Sequence, residues 1–312
     1  MLTVFLKLCA GILLDRLLGE PRRLHPLIGF GHWAMWLERR CRALIGEGVL
    51  AGSVAWCIAI LPLVALAVVV RQSHPAASWA VDIALLYFAL GGRSLVEHAT
   101  AIANPLAAAN LDEARVRLAR IVSRDTATLD TAGVARASCE SVLENGNDAV
   151  FGALFWFILL GGPGALLFRL ANTLDAMWGY RTSRYLRFGR IAARADDALG
   201  WIPARLTALT YASLGHTRHA IECWRTQAVR WKSPNAGPVM AAGAGALGIE
   251  IGGPARYHGH EEQRPTLGRG PAPDATAVLA AIRLIRVGVF IWVAVIGFAA
   301  VAQFVLTGGA PR

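Results

Sequence analysis

Residues 49–70 run without a single charged side chain and are flanked by arginines, Arg39, Arg40 and Arg42 on one side and Arg71 on the other. A helix of that length crosses about 30 Å of hydrocarbon, where lipid offers the backbone no partner outside the helix itself. Two further runs extend the pattern. Residues 76–91 are shorter and carry Asp82, and residues 287–306 follow Arg283 and Arg286. A fourth apolar stretch, 149–171, is broken by Gly161-Gly162-Pro163-Gly164, which predicts two half-length helices, re-entrant or packed against other spans. No alternation of apolar and polar residues is sustained enough for strands. The expected fold is therefore all-α: a polytopic integral membrane protein, one domain over 1–312, with cytoplasmic helical and loop segments forming the site. Residues 252–274, rich in Gly, Pro and His, read as an exposed connection before the last span.

If 49–70 and 76–91 form a hairpin, the segments before and after it share a side. That side carries Arg16, Arg22, Arg23, Arg39, Arg40 and Arg42, so it is expected to be cytoplasmic, in a cell (inner) membrane. Composition agrees: 55% of residues are hydrophobic and the mean hydropathy is +0.46. The net charge of +10 is carried by arginine, lysine occurring only at Lys7 and Lys232. Those arginines fit a positive-inside membrane protein or a site for phosphates. They are dispersed among apolar runs with no recognisable nucleic-acid module, so nucleic acid is not expected as a partner. The five cysteines, Cys9, Cys41, Cys57, Cys139 and Cys223, form no C-x-x-C pair and read as reduced small hydrophobes. Lys7 interrupts the first apolar run and no small-residue cleavage site follows, unlike a signal peptide.

Polar chemistry is concentrated in a few short stretches. Glu140, Glu144 and Asp148 stand at i, i+4 and i+8, which on a helix places three carboxylates on one face. A solvated face would tolerate them; a divalent cation or neighbouring arginines would compensate them. Upstream, Ser123-Arg124-Asp125-Thr126 supplies a helix cap and an arginine able to pair with a carboxylate or reach a phosphate. Asp15, Glu20 and His25 are held in a turn region by Pro21 and Pro26, either as a site or as a helix stop. Gly91-Gly92-Arg93-Ser94 opens a helix and fits either an anion-binding start or an ordinary cap. Asn172 and Asp175 are neighbours on one helical turn, and Asp196-Asp197 precede Arg205 by eight or nine residues, as a metal-phosphate site or an internal ion-pair network. Ser233-Pro234-Asn235 is a turn before a glycine-rich run. There is no P-loop, no G-x-S-x-G elbow, no H-E-x-x-H and no G-x-G-x-x-G after a strand.

In their order these motifs resemble one family: the membrane-bound adenosylcobinamide-phosphate synthases of cobalamin biosynthesis, the CbiB/CobD family. The resemblance lies in DRLLGEPRRLHPLIGFG (15–31), GGRSLVEHA (91–99), IVSRDTATLD (121–130), ESVLENGNDAVFGALFWF (140–157), NTLDAMWGYR (172–181), GRIAARADDALGWIPARLTAL (189–209) and SPNAG (233–237), and it covers nearly the whole chain. Gly200, Ala153 and Pro238 stand where the family commonly carries Asn, Pro and an aromatic. The resemblance implies ATP-dependent amide formation between adenosylcobyric acid and an amino-alcohol, aminopropanol or its phosphate, with ATP as co-substrate and Mg2+ as cofactor. From charge type, Asp125, Glu140, Glu144 and Asp148 are the expected metal ligands. Arg93, Arg124, Asn172, Arg181, Arg205 and Asn235 are the expected substrate and phosphate contacts, and Asp196, Asp197 or His25 the catalytic base. Expected partners are the two substrates, membrane lipid, and a second copy or other corrinoid-pathway enzymes. Two alternatives remain: a non-catalytic membrane sensor of the AmpE type, and a transporter, which would use the broken 161–164 helix but shows no repeat symmetry.

Overall fold

The computed structural model describes residues 1–21, 25–257 and 259–307, so Arg22 and Arg23, counted above among the cytoplasmic arginines, lie outside the described residues. The chain divides into two compact units. The first comprises residues 1–91, 148–200 and 296–312; the second comprises 92–147 and 201–295.

In the first unit, α1 (Leu2–Leu18), α2 (Pro26–Ile45), α3 (Val49–Ser73), α4 (Pro75–Ala89), α8 (Gly152–Leu160) and α9 (Gly162–Trp178) pack together. The core is written at helical spacing: Phe30, Ala34, Leu37 and Cys41 on α2, Ala51, Ala55 and Ala59 on α3, and Leu166, Leu170, Leu174 and Trp178 on α9. Alanines on the middle helix let the other two approach closely. His74 alone joins α3 to α4; its Nδ1 accepts the Ala76 N–H at 3.1 Å and Pro75 occupies the first helical turn. The expected hairpin is therefore present.

Gly161, at φ +73°, ends α8 and begins α9, the break expected from the Gly-Gly-Pro-Gly sequence. The halves are unequal: α8 has 9 residues and α9 has 17, running past 171 to Trp178, so α9 carries Asn172 and Asp175 on one helical turn as expected.

One carboxylate ties four of these helices. Asp82 on α4 accepts Lys7 Nζ of α1 at 2.7 Å, Arg71 Nε of α3 at 2.8 Å and the Gly162 N–H of α9 at 2.7 Å. Its side chain is 2% exposed and that of Lys7 is 6% exposed. This explains a charge inside an otherwise apolar run: both oxygens are matched by cations and a backbone donor.

In the second unit, α5 (Gly92–Ala107), α6 (Leu111–Leu118), α7 (Thr131–Gly146), α11 (Thr217–Gln227) and α12 (Ala236–Leu247) surround a core built on small residues. A Cβ on Gly243 would sit 2.6 Å from Leu143 of α7, and one on Gly245 would sit 2.8 Å from the Ala220 backbone of α11. The glycine-rich run after Asn235 is thus a packing surface. Two helices, α10 (Arg190–Ser213) and α13 (Ala275–Leu306), contribute to both units.

The all-helical expectation holds for nearly the whole chain, with one correction. Residues 250–268 form two short antiparallel ribbons, β1 (Glu250–Gly252) with β4 (Thr266–Gly268) and β2 (Ala255–Tyr257) with β3 (His260–Glu262). Three-residue strands are too short to show alternation in sequence. The segment is also not merely an exposed connection, since Ile251 and Leu267 are fully buried.

Among the described residues three stretches are long and apolar enough to cross a membrane: Val49–Ser73, Pro75–Ala107 and Ala275–Leu306. The second contains α4 and α5, interrupted at Leu90–Gly91. The outward side chains of α3 and α13, among them Leu66, Val69, Phe290 and Phe298, are exposed apolar groups that lipid covers. The protein is a membrane protein.

Removing Asp82 strands the buried Lys7 charge. Asp82→Ala is expected to cost about 3–5 kcal/mol, read as a fall in Tm of the protein in lipid nanodiscs. The double variant Lys7→Met/Asp82→Leu, which removes both charges, is expected to recover most of that loss.

Candidate active site

Four of the sequence motifs meet in the first unit. Gly19, at φ +65°, turns the chain out of α1, and Tyr87 Oη donates to its carbonyl at 2.7 Å. Glu20 follows. His25 caps α2, its Nδ1 accepting the Leu27 N–H at 3.2 Å, and its Nε2 stands 4.0 Å from Glu20 Oε2. The Gly91 N–H donates to the Ala149 carbonyl at 3.0 Å, and a Cβ at Gly91 would lie 3.2 Å from Glu20 Oε1. Glycine suits the position because Glu20 and Ala149 come so close to it.

Residues 147–151 wind as a π-helical turn between α7 and α8. Asp148 lies in this turn and belongs to the first unit, while Glu140 and Glu144 belong to the second.

Asp148 has other company. Asn172 and Asp175 stand one turn apart on α9, and Asn172 Nδ2 donates to Asp196 Oδ1 on α10 at 3.3 Å. Burial, with Asp197 and Asp148 nearby, raises the Asp175 carboxyl from its ordinary 3.8 to about 6. Burial, then Asp148 and Asp175, raises Asp196 to about 8. Asp197 is also raised by burial, with Arg181 pulling the other way. Arg181 itself is exposed. Arg169 on α9 reaches Glu20 Oε1 with Nη2 at 3.5 Å, and its buried Nε has no hydrogen-bond partner among the described residues. Burial pulls the Arg169 guanidinium down, while Glu20 and Asp148 act to hold its charge.

The second unit gathers a different set. Glu140 is 4% exposed and accepts four contacts. Oε2 takes Arg124 Nη2 and Arg264 Nη1, the latter at 3.0 Å; Oε1 takes Arg264 Nη2 at 3.2 Å and the Gly252 N–H at 3.0 Å. Burial would raise this carboxyl, but Arg124 and Arg264 outweigh it and hold Glu140 below the usual carboxylate range. Its lone pairs are spent on donors, so the expected metal role of Glu140 gives way to an ion-pair role. Asp125 is likewise occupied, its Oδ2 accepting the Gly259 N–H at 2.9 Å with Arg256 Nε at 3.9 Å. Glu144 lines a cavity of about 380 Å³ beside Arg124, Arg264, Trp231 and Tyr257.

The remaining expected contacts fall in two places. Arg205 Nη1 donates to Asn235 Oδ1 and to the Trp201 carbonyl, each at 3.0 Å, so this pair does come together. Arg93 pairs with Glu97 on an exposed helix face. Among the described residues no three His, Cys, Asp or Glu side chains are gathered as a set that could hold a metal ion.

Sequence reasoning missed Arg169 and Arg264. An arginine inside the apolar 165–171 run was a usable sign for the first, since such a charge needs a buried partner. Arg264 carried no local sign: its partner Glu140 lies 124 positions away.

The carboxyl crowding has a measurable sign. An unfolded carboxyl loses its proton near 3.8, whereas Asp175 and Asp196 keep theirs to about 6 and about 8. Their contribution to stability is complete below about pH 4 and is lost as pH rises to about 8. Without divalent cations, Tm is expected to fall across that window, and Asp196→Asn to flatten the fall above pH 6.

A protein-family model described as CobD/Cbib protein matches residues 8–285. A cobalamin biosynthesis protein CobD of Stutzerimonas stutzeri is 57% identical over 298 residues, covering 95% of this chain and 98% of the relative. A cobalamin biosynthesis protein CobD of Mycobacterium tuberculosis is 40% identical over 290 residues, 89% of this chain and 90% of the relative. A cobalamin biosynthesis protein CbiB of Salmonella typhimurium is 34% identical over 275 residues, 83% and 86% of the two chains. No solved structure matches the chain.

Proposed function

Because the chain belongs to the CobD/CbiB family of cobalamin biosynthesis proteins, we propose that it joins a propionate carboxyl of adenosylcobyric acid to an amino-alcohol phosphate as an amide, driven by ATP. It acts in cobalamin biosynthesis, and the non-catalytic sensor reading is not favoured. The observation that carries the chemical step is the half-buried group of Asp148, Asp175 and Asp196, with Asn172 bonded to Asp196 and Arg169 beside Glu20.

A carboxylate does not react with an amine until its oxygen is made a leaving group. In the proposed sequence a carboxylate oxygen attacks the γ-phosphorus of ATP, the P–O bond to ADP breaks, and an acyl phosphate results. The amine nitrogen then attacks the acyl carbon, phosphate leaves with the C–O bond, and one nitrogen proton passes to a base. That amine arrives as an ammonium and must lose a proton first. Asp196 is the proposed base, because burial and the neighbouring carboxylates lift its proton affinity toward that of the donor, and Asn172 orients its carboxyl. Arg169 and Arg181 are the proposed counter-charges for phosphoryl oxygens.

Mg2+ supplies charge neutralisation to nucleotide phosphates when bound. Asp148 and Asp175 are the proposed donors, oxygen ligands of the kind magnesium takes. A carboxyl that burial and neighbouring carboxylates push up, as at Asp175, releases its proton to a divalent cation, which is the sense in which this site fits it. The proposed setting is the cell membrane with this face toward the cytoplasm, where ATP is available.

The test uses the purified protein in nanodiscs with adenosylcobyric acid, aminopropanol phosphate, ATP and Mg2+, and mass spectrometry for the amide. Product that requires both ATP and Mg2+ is expected. Asp196→Asn is expected to lower kcat/KM by about 10²–10⁴-fold with the fold intact. Amide formed without nucleotide, or at an unchanged rate in that variant, would refute the proposal.

A further inference from the structure

We propose that the cavity in the second unit binds the phosphate group of a small phosphate ester, with Arg124 as its principal contact and Glu140 as the residue that positions it. The cavity, about 380 Å³, lies between residues 121–124, helix α7, the turn at Arg230-Trp231-Lys232 and the end of the second ribbon. That volume falls in the range of about 300–1,000 Å³ typical of small-molecule sites.

The argument rests on Arg124. Its side chain is 10% exposed and it lines the cavity. Through Nη2 it binds Glu140, one N–H of the five in a guanidinium fork. Among the described residues Nη2–Glu140 is the one hydrogen bond of this guanidinium, which lines the cavity and is taken far out of water, so it is set for an anion. Arg264 differs. Nε donates to the Gly253 carbonyl at 3.0 Å, Nη1 to Glu140 and the Tyr257 hydroxyl, and Nη2 to Glu140. It is nearly spent and serves to neutralise Glu140. The carboxylate thus holds both guanidinium groups in place, and Arg264 releases Arg124 from having to cancel it alone.

The rest of the wall is consistent with an anion. Four cations line it, Arg124, Arg230, Lys232 and Arg264, against three carboxylates, Glu140, Glu144 and Glu262, for a balance of one positive charge (4 − 3). Lys232 pairs with Glu262 at 2.6 Å at the rim, and Arg230 is exposed there. Trp231, Tyr257 and Pro265 supply apolar walls, with Arg264 5.1 Å from the Trp231 ring centre. A phosphate ester has the matching parts: a compact dianion for Arg124 and an organic body for the aromatic wall.

Naming the ester rests on the proposed reaction, which brings two of them, ATP and the amino-alcohol phosphate. The test separates them. Full-length protein in nanodiscs is titrated calorimetrically with inorganic phosphate, a non-hydrolysable ATP analogue and aminopropanol phosphate, each alone. Arg124→Gln is expected to weaken inorganic phosphate and one of the two esters by about tenfold or more, while the other ester changes less than about twofold. Loss for both esters would mean that the site reads phosphate without choosing between them, and it supports the assignment. Glu140→Gln is expected to weaken the same ligand through a disordered Arg124, with partial rescue by Glu140→Asp, which a loss of stability alone would not produce. Unchanged affinity for all three probes in a folded Arg124→Gln protein overturns the proposal.

Should both variants unfold, the wild-type protein carries the test. Phosphate is expected to slow hydrogen exchange in residues 121–124 and 255–264, and protection confined to other segments overturns the assignment. Binding needs no turnover, so the two readings fail separately. Phosphate held through Arg124 with no amide formed refutes the reaction, and amide formed with every affinity unchanged in Arg124→Gln refutes the site.

Discussion

Each deeply buried carboxylate whose partners are seen in full is met by two cations. Glu38 takes Arg42 and Arg184, Asp82 takes Lys7 and Arg71, and Glu140 takes Arg124 and Arg264. A carboxylate out of water costs several kcal/mol unless its lone pairs are filled, and one cation rarely fills them. The second partner comes from a distant part of the chain each time, so the pairing also fixes the tertiary arrangement. Arg184 ties the segment after α9 to α2, Arg71 and Lys7 hold α3 and α1 to α4, and Arg264 binds the ribbon to α7.

The site at Asp175 and Asp196 differs. Burial, then neighbouring carboxylates, raises the proton affinity of both, and the amide of Asn172 is a weaker compensator of Asp196 than a guanidinium. Carboxyls held above their ordinary range in this way cost stability at neutral pH. Such local conflict marks functional sites in proteins whose other levels agree.

Much of this was legible in the sequence, and what was not has physical reasons. The uncharged 49–70 run, the one-residue hairpin at His74 and the break at Gly161 each announce themselves within a few positions, because lipid, proline and positive φ act locally. Asn172, Asp175 and Asp196 were picked out by their residue type on apolar helices, and they do converge. The π turn at 147–151 was not legible, because it changes the hydrogen-bond pattern without changing composition. The Arg264–Glu140 pair and the ribbons were invisible for a different reason: strands of three residues and partners 124 positions apart leave no periodic trace.

The arginine-rich composition now has a cause beyond membrane orientation. A positive-inside bias is served equally by lysine, yet lysine appears twice. Arg42 shows why. Its Nε bonds Glu38, its Nη2 donates to the Arg184 carbonyl, and its plane lies 4.4 Å from the Phe188 ring centre. A lysine ammonium can be a counter-charge, as Lys7 is for Asp82, but it presents no flat face to a ring and no fixed fork to two acceptors. Where a buried acid must be neutralised, a backbone carbonyl satisfied and an aromatic wall covered by one side chain, only arginine supplies all three. The same property makes a half-used guanidinium such as Arg124 informative, since the donors it leaves over point in fixed directions and ask for an acceptor of matching shape.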